Sequence, residues 1–265
     1  MRGFLNLGNT CYFNTALQCL LHVPVLSNYF LQVGYTGDCA FTKLYATLVH
    51  FYWVSQEKGL VDVKALLDHF CRHFPRFKTG EPHDTQEAIL CIIDILERSC
   101  PDIKQWFYGK KVQETIWPGG KTRSEEDFSI HIVTSRGSDL GEMLTKSADW
   151  NVVENFEDTE GRVHHLATTR MVFSKLPQVL MISFDRKSHI HVIETIIIDG
   201  HEYNLIASAV HIGVQWDGHY VSYVKHGAKW YYINDEFVNE AELPSREGHY
   251  VLVYNLKTPS SEYLP

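Results

Sequence analysis

The chain has 265 residues, 45% of them hydrophobic and 13% aromatic, which is enough apolar surface for a substantial buried core. Its 24 basic and 32 acidic residues give a formal net charge of -8, and this balance argues against a nucleic-acid or anionic-membrane partner. The sequence has neither a run of about 18 apolar residues nor an apolar N-terminal stretch, so it predicts no membrane-spanning helix and no signal peptide.

Six cysteines all fall within the first 100 residues, and no two of them have C-x-x-C spacing. A secreted protein of this size with a disulfide framework would distribute its cysteines differently. The sequence therefore predicts free thiols in a reducing compartment, the cytoplasm or the nucleus.

The first third of the chain carries helical patterns. Apolar side chains recur at spacings of three and four residues, and Pro24 and Pro75 follow two of these segments, where they are expected to end helices. Asp84 precedes the last segment and is suited to cap its N-terminus. The predicted helices cover residues 11–22, 41–54, 62–73 and 84–99.

After Pro101 the pattern changes to short runs rich in β-branched and aromatic residues, separated by turns that contain glycine. The predicted strands cover residues 128–133, 171–173, 179–184, 193–198, 205–212, 220–225, 230–233 and 250–254. A helical half followed by an antiparallel sheet half predicts an α+β fold with a cleft between the halves. The residues from 258 to 265 are expected to form a frayed tail.

Cys11 is the candidate nucleophile. It stands where a loop containing Gly8 and Asn9 runs into the first predicted helix. The unpaired N–H groups and the positive dipole end at a helix N-terminus favour a thiolate, the reactive form of cysteine. The alternative is a buried structural cysteine, which is the interpretation we give to Cys19 on the same helix.

A thiolate nucleophile needs a histidine to exchange its proton and a third group to orient that histidine. His219 begins one predicted strand, and Asn234 and Asp235 follow the next. A hairpin of these two strands would bring His219 beside the Asn-Asp pair. Because His219 is one of fifteen histidines, spacing alone leaves open that it is an ordinary surface residue.

Four segments of the sequence resemble the signature segments of the ubiquitin-specific proteases, in the order that this family has them. Residues 3–20 (GFLNLGNTCYFNTALQCL) are similar to its cysteine box, and residues 218–225 (GHYVSYVK) with 230–235 (WYYIND) to its histidine box. Residues 82–90 (PHDTQEAIL) and 176–184 (LPQVLMISF) are similar to a helix start and a palm strand of that family. Together these segments extend over nearly the whole chain.

The resemblance implies a papain-like cysteine protease fold and a single catalytic domain over residues 1–257. Its expected parts are a helical thumb (1–105), reduced fingers (106–169) and an antiparallel palm sheet (170–257). The implied activity is deubiquitination, the thiol-dependent hydrolysis of the bond after the C-terminal glycine of ubiquitin. The implied partner is ubiquitin or a ubiquitinated protein, and the protein is expected to act as a monomer without a cofactor.

The same resemblance assigns the catalytic roles. Cys11 attacks the glycine carbonyl, His219 transfers the proton, and Asn234 orients the imidazole. Asp235 matches a second acid that supports or replaces Asn234 in some relatives. Asn6 matches the residue whose amide stabilises the oxyanion, although a purely loop-shaping role is its alternative.

Four further residues are expected to contact the arginine-containing C-terminal tail of ubiquitin. Asp84 matches an acid that meets this tail in relatives, and a helix cap is its competing or additional role. Gln86, Glu87 and Trp216 are expected to line the same cleft.

The sequence departs from many relatives by having no cysteine between residues 107 and 169, where they carry two C-x-x-C pairs for a structural zinc. His164 and His165 are adjacent and point to different sides of a strand, so they are poor joint ligands. We therefore predict that no metal is bound.

Two other functions remain open at this stage. A ubiquitin-binding pseudoenzyme would lack the nucleophile or the base, and this sequence retains both. An isopeptidase for another ubiquitin-like modifier would differ in its contacts to the modifier tail, which makes Asp84 the residue to test. An acyltransferase for small molecules would not explain the four matching segments.

Overall fold

The structure is a computed structural model that describes residues 1–57, 59–78, 80–133, 137, 139–184, 189–214, 217–246, 248–258 and 264. Of residues 214 and 217 it describes only the backbone. Trp216 and most of the predicted tail lie outside the described residues. Mixed helices and antiparallel sheets confirm the predicted α+β class.

Helices dominate the first 107 residues. They are α1 (Cys11–Leu21), α2 (Pro24–Gln32), α3 (Ala40–Val54), α4 (Lys64–His73), α5 (Thr85–Ser99) and α6 (Asp102–Phe107). The four predicted helices match α1, α3, α4 and α5 to within about two residues, which is the usual uncertainty of a helix end. Asp84 caps α5 as expected, because its side chain accepts a hydrogen bond from the Glu87 N–H.

The first helix ends before Pro24, as predicted, but the helix α2 that begins there was not predicted. Pro24 is the first residue of α2, a position that suits proline because the first N–H of a helix has no partner within the helix. Proline has a fixed φ that fits the first turn, so it can begin a helix as well as end the preceding one.

Two mainly antiparallel sheets follow, both formed by residues after Tyr108. The larger, which we call the palm sheet, has the strand order β11-β10-β9-β8-β12-β6-β3, and β7 pairs with β8. Its strands are β3 (His131–Ile132), β6 (Val179–Ser183), β7 (Thr195–Ile198), β8 (His201–Val214), β9 (Asp217–His226), β10 (Lys229–Asn234), β11 (Phe237–Glu240) and β12 (His249–Leu256). The short β3 is parallel to β6 and is the exception to the antiparallel pairing.

The smaller sheet, which we call the finger sheet, has the order β2-β1-β5-β4. Its strands are β1 (Gly109–Trp117), β2 (Gly120–Phe128), β4 (Asn151–Glu157) and β5 (Val163–Lys175). Sequence patterns identified only part of β5, and the strand predicted at 128–133 is divided between the end of β2 and β3. The helix α7 (Leu140–Ala148) was also not predicted.

Charged residues explain why this sheet was hard to recognise. The strand β2 contains no apolar residue before Phe128 and therefore has little β-propensity of its own. It pairs along its whole length with β1, and ion pairs such as Lys110–Glu125 (3.0 Å) and Lys111–Glu126 (2.8 Å) join the two strands. Pairing with β1 therefore determines that β2 is a strand, and this pairing is not apparent from the sequence of β2 alone.

The hydrophobic core has two parts, one on each side of the palm sheet. One part joins the helices to side chains of β8, β9 and β12. The other lies between the palm sheet, α7 and the ends of β2 and β5 in the finger sheet. Because α1 packs directly on β9, the first helix and the ninth strand lie together although more than 190 residues separate them. None of the helices within the described residues is long and apolar enough to cross a membrane.

Candidate active site

The beginning of the chain is held against the turn between β10 and β11. Phe4 N–H donates to the Asp235 carbonyl at 2.8 Å, and Val61 N–H donates to the Gly3 carbonyl at 3.1 Å. A Cβ atom on Gly3 would lie 2.4 Å from the Glu236 carbonyl oxygen, so only glycine permits this close approach. The contact brings the loop before α1 to the residues that follow β10.

Cys11 is the first residue of α1, and 9% of it is exposed. The preceding Thr10 makes no side-chain cap to this helix, so its first N–H groups and its positive dipole end face the sulfur and its surroundings. Cys19, two turns later, is fully buried, and burial raises the pKa of its thiol to about 12. The two cysteines of α1 therefore have different surroundings.

His219 lies on β9 next to Cys11 and to the end of β10. Its Nε2 donates to Asn234 Oδ1 at 2.7 Å, which leaves Nδ1 to exchange a proton with the sulfur. The hydrogen bond with Cys11 is the main cause that raises the pKa of His219 to about 9. Burial opposes this rise, while Asn234 and the charge of Asp235 contribute to it. A protonated imidazole beside a sulfur favours the thiolate.

Gly218 determines how β9 enters the site. A Cβ atom at this position would lie 1.9 Å from His211 Nε2, so the His211 ring can lie against the backbone only because residue 218 has no side chain. His211 is buried and is in edge contact with Tyr220, whose ring centroid is 5.0 Å away. The residues on both sides of His219 are thereby fixed.

Asp235 lies beside the Cys-His-Asn arrangement and is largely buried, with 6% of its side chain exposed. Its Oδ2 is 4.0 Å from His219 Nε2, too far for a hydrogen bond, and accepts a hydrogen bond from Asn6 Nδ2 at 2.7 Å. Its Oδ1 accepts from Asn14 Nδ2 at 2.8 Å. Asn234 is thus the direct partner of the histidine in this structure.

The amide of Asn6 has a defined orientation. Its Oδ1 accepts hydrogen bonds from Gly8 N–H (2.9 Å) and Thr10 N–H (3.4 Å), and its Nδ2 faces the Asp235 carboxylate. Asn6 N–H donates to Glu236 Oε1 at 2.7 Å. An amide nitrogen has two hydrogens, and within the described contacts only one of them has an acceptor, so the other can meet a substrate.

The chain belongs to the ubiquitin carboxyl-terminal hydrolase family. The family model for ubiquitin carboxyl-terminal hydrolases matches residues 2–195 and 188–254. These ranges include every candidate site residue named above, and the match confirms the resemblance.

Relatives of this chain are much longer. Ubiquitin carboxyl-terminal hydrolase 16 of Arabidopsis thaliana is 24% identical over 310 residues, which cover 97% of this chain and 31% of the relative. Ubiquitin carboxyl-terminal hydrolase 25 of the same plant is 25% identical and covers 96% of this chain and 47% of its own length. The chain therefore spans about a third to a half of these two relatives.

The same fold occurs in solved structures. In a structure of the SAGA Ubp8/Sgf11/Sus1/Sgf73 DUB module bound to ubiquitin aldehyde, one chain matches with a TM-score of 0.84 at 18% identity. The match covers 97% of this chain and 70% of that chain. The architecture of helices and antiparallel sheets is thus shared with that chain.

Three of the four residues expected to contact a substrate tail lie within the described residues, and their surroundings differ from one another. Asp84 receives hydrogen bonds from Glu87 N–H and from Tyr250 Oη, the latter at 2.7 Å, so it links α5 to β12. Glu87 forms an ion pair with Arg76 at 2.6 Å. Gln86 is half-buried, and Trp216 lies outside the described residues.

Two residues near the site were not found from the sequence. Asn14 was treated only as part of the cysteine box, and Tyr250 only as part of a strand. Their positions on α1 and β12 gave no signal by themselves, because their importance comes from contacts with Asp235 and Asp84, which are 221 and 166 residues away. A search for polar residues at otherwise buried positions could have singled out Asn14.

No three histidine, cysteine, aspartate or glutamate side chains of the described residues lie close enough together to hold a metal ion. His164, one of the two histidines considered above as metal ligands, forms a hydrogen bond through Nε2 with Asp158 Oδ2 at 2.8 Å. The absence of a bound metal stays a prediction.

Proposed function

We propose that the protein is a cysteine-type deubiquitinase, which hydrolyses the isopeptide or peptide bond after the C-terminal glycine of ubiquitin. The observation that carries this proposal is the contact of Cys11, His219 and Asn234 at the junction of α1 and β9. Membership of the ubiquitin carboxyl-terminal hydrolase family supports the substrate class.

In this proposal the Cys11 sulfur attacks the carbonyl carbon of the terminal glycine, and His219 holds the proton of the thiol. His219 Nδ1 then donates that proton to the leaving amine, which forms an acyl-enzyme. Asn234 holds Nε2–H, so the imidazole keeps the orientation that both transfers require. A water molecule attacks the acyl-enzyme in the second half of the reaction, with His219 as the base.

Negative charge develops on the carbonyl oxygen during both steps. The N–H groups at the start of α1 and the second Nδ2 hydrogen of Asn6 are the donors available beside the sulfur. Removal of one donor of this kind typically reduces turnover by about a hundred- to a thousandfold. Asp235 supports this arrangement by holding Asn6.

Substrate binding is proposed to involve the cleft between the helices and the palm sheet. Asp84 presents a carboxylate at the start of α5, where an arginine of the ubiquitin tail would find a charged acceptor. Gln86, Glu87 and Trp216 are proposed as neighbouring contacts. We propose the thumb, finger and palm divisions at residues 1–105, 106–169 and 170–257, and a monomeric protein of the cytoplasm or nucleus.

The test is covalent labelling by ubiquitin that carries an electrophile at its C-terminus. The wild-type protein is compared with Cys11→Ala and with Cys19→Ala, a matched control that removes a buried thiol from the same helix. We expect an adduct with the wild type and with Cys19→Ala, and none with Cys11→Ala. Probes made from other ubiquitin-like modifiers are run in parallel.

An adduct that persists in Cys11→Ala would rule out Cys11 as the nucleophile. An adduct formed only with another modifier would assign the enzyme to that modifier. If the folded wild type binds ubiquitin but forms no adduct with any probe, the protein is a binding pseudoenzyme.

A further inference from the structure

Asn14 lies one helical turn after Cys11 on α1 and points into the interior, with only 2% of the residue exposed. Its Nδ2 donates to Asp235 Oδ1 at 2.8 Å and to the Leu5 carbonyl at 3.2 Å. One buried amide therefore touches both the loop before Cys11 and the turn after β10.

The orientation of this amide is determined by the carboxylate. Among the described residues, Asn14 Oδ1 is buried and has no hydrogen-bond partner. Rotation of the amide by 180° would place this oxygen against Asp235 Oδ1, where two acceptors repel each other. A buried carbonyl oxygen without a hydrogen-bond partner destabilises the folded protein. The hydrogen bond from Asn14 Nδ2 to the Asp235 carboxylate offsets this effect.

The two oxygens of Asp235 are thereby committed to different neighbours. Oδ1 is held by Asn14 from inside the protein, and Oδ2 is held by Asn6 at 2.7 Å on the side of the reaction. The Asp235 backbone is in the left-handed region, with φ of 47°, so the turn itself is fixed. Rotation of the carboxylate about its own bond is limited by Asn14 on one side and Asn6 on the other.

We propose that Asn14 is a positioning residue for the hydrolysis, whose buried amide turns the Asp235 carboxylate toward Asn6 and so holds the Asn6 amide at the oxyanion. This inference rests on the proposed function. Without Asn14, Asp235 Oδ1 loses its Nδ2 donor, and the carboxylate is free to rotate and to release Asn6. The step affected is the formation of the oxyanion, whereas the thiol, its proton and the imidazole stay in place.

The experiment measures kcat and KM on ubiquitin with a fluorogenic C-terminal amide. The variant is Asn14→Ala, and the matched control is Gln18→Ala. Gln18 is a buried amide one turn further along α1, and its Nε2 donates to the Arg2 carbonyl at 2.8 Å. Both changes remove a buried amide from the same helix, but only one removes a contact to Asp235.

We expect Asn14→Ala to lower kcat about 10- to 100-fold with KM within about twofold, the effect of a misplaced catalytic group. Gln18→Ala is expected to lower the melting temperature without this loss of kcat. The rate of Cys11 alkylation by iodoacetamide, a reaction that forms no oxyanion, should be the same in the wild type and Asn14→Ala. If Asn14→Ala does not fold, Asn14→Ser, with a hydroxyl in place of the amide, is measured instead.

A double-mutant cycle decides whether Asn14 acts through Asn6. In an Asn6→Ala background, Asn14→Ala should lower kcat less than about threefold, because the Asn6 amide that Asn14 positions is already absent. An equal loss in both backgrounds would overturn the proposal, as would an equal loss in Gln18→Ala. A wild-type protein that does not cleave the substrate at all would overturn the proposed function together with this inference.

Discussion

Two buried aspartates in this protein have similar chemistry and very different settings. Asp235 is held by Asn14 and Asn6, which are 221 and 229 residues away in the chain. Asp158, with 1% of its side chain exposed, is held within its own turn by the N–H groups of Glu160 and Arg162 and by His164 Nε2 at 2.8 Å.

The electrostatic consequences also differ. The hydrogen bond from His164 is the main cause that holds the pKa of Asp158 well below its usual range. Within the described contacts Asp235 makes no hydrogen bond to a histidine, and its charge contributes to the raised pKa of His219. The Asp158 carboxylate accepts hydrogen bonds from its own turn and so stabilises that turn. The Asp235 carboxylate accepts hydrogen bonds from distant elements and so fixes how those elements pack together.

The largest difference is expected between the two histidines near these aspartates. His219→Ala removes the proton carrier and should lower kcat about a thousandfold or more. His164→Ala removes a contact at the tip of the finger sheet and should leave kcat within about twofold while it lowers the melting temperature. Steady-state kinetics and thermal unfolding of both variants check this, and a similar loss of kcat in both would erase the distinction.

A third histidine, His131, has no carboxylate partner among the described residues and should respond to pH in the opposite way from His219. It is 4% exposed between Phe128 and Phe173, and burial lowers its pKa from 6.5 to about 4, with a smaller contribution from Lys111. The unfolded chain binds a proton near pH 6.5 and the folded protein only near pH 4. Stability should therefore fall as the pH is lowered through this window.

At about 1.4 kcal/mol for each pKa unit, the effect of His131 on the free energy of unfolding reaches about 3 kcal/mol below pH 4. Urea unfolding at several pH values measures it. Burial also lowers the pKa of His22, to about 3, and that of His226, so the comparison is between the wild type and His131→Phe, in which both of these histidines remain. Identical pH profiles for the two proteins would contradict the assignment.

Asn234 should determine where activity is lost at high pH. Because the pKa of His219 is about 9, kcat/KM is expected to decline as the pH rises through about 9, when the imidazolium loses its proton. Asn234→Ala removes a hydrogen bond that raises this pKa, so the decline should begin at lower pH. Loss of orientation should also reduce kcat/KM about tenfold to a hundredfold, and an unchanged alkaline limb would argue against this role.

The smallest effect is expected at the tip of the finger sheet. The Trp117 ring lies 5.2 Å from Phe156 and 5.4 Å from His164 between ring centroids. Trp117→Leu should lower the free energy of unfolding by about 1 kcal/mol, the value of an aromatic pair, without changing the rate of Cys11 alkylation. Denaturant unfolding and alkylation rates test this, and a slower alkylation would mean that the tip is coupled to the site.

Sequence patterns predicted most of the first half and the palm because these elements have apolar stripes or runs of their own. These patterns did not predict β2, which is almost entirely polar. They also did not predict α2, because its first residue, Pro24, was interpreted only as the end of the preceding helix. Among the site residues, the surroundings of Cys11, His219 and Asn234 agree with the expected arrangement, but their catalytic roles stay predictions. The role expected for Asp235 beside Asn234 takes a more specific form here, because its nearest donors are Asn6 and Asn14.

Local periodicity and short motifs predict the α+β class, the family and the residue types that carry the chemistry, because this information lies within single segments. Contacts between distant segments establish which oxygen of Asp235 faces Asn6, why residue 218 is a glycine, and that Asp84 accepts a hydrogen bond from Tyr250. The contacts of Asp235 with Asn14 and of Asp84 with Tyr250 each join residues more than 150 positions apart in the chain. They depend on how helices pack on the sheet, and that packing is a property of the whole folded chain.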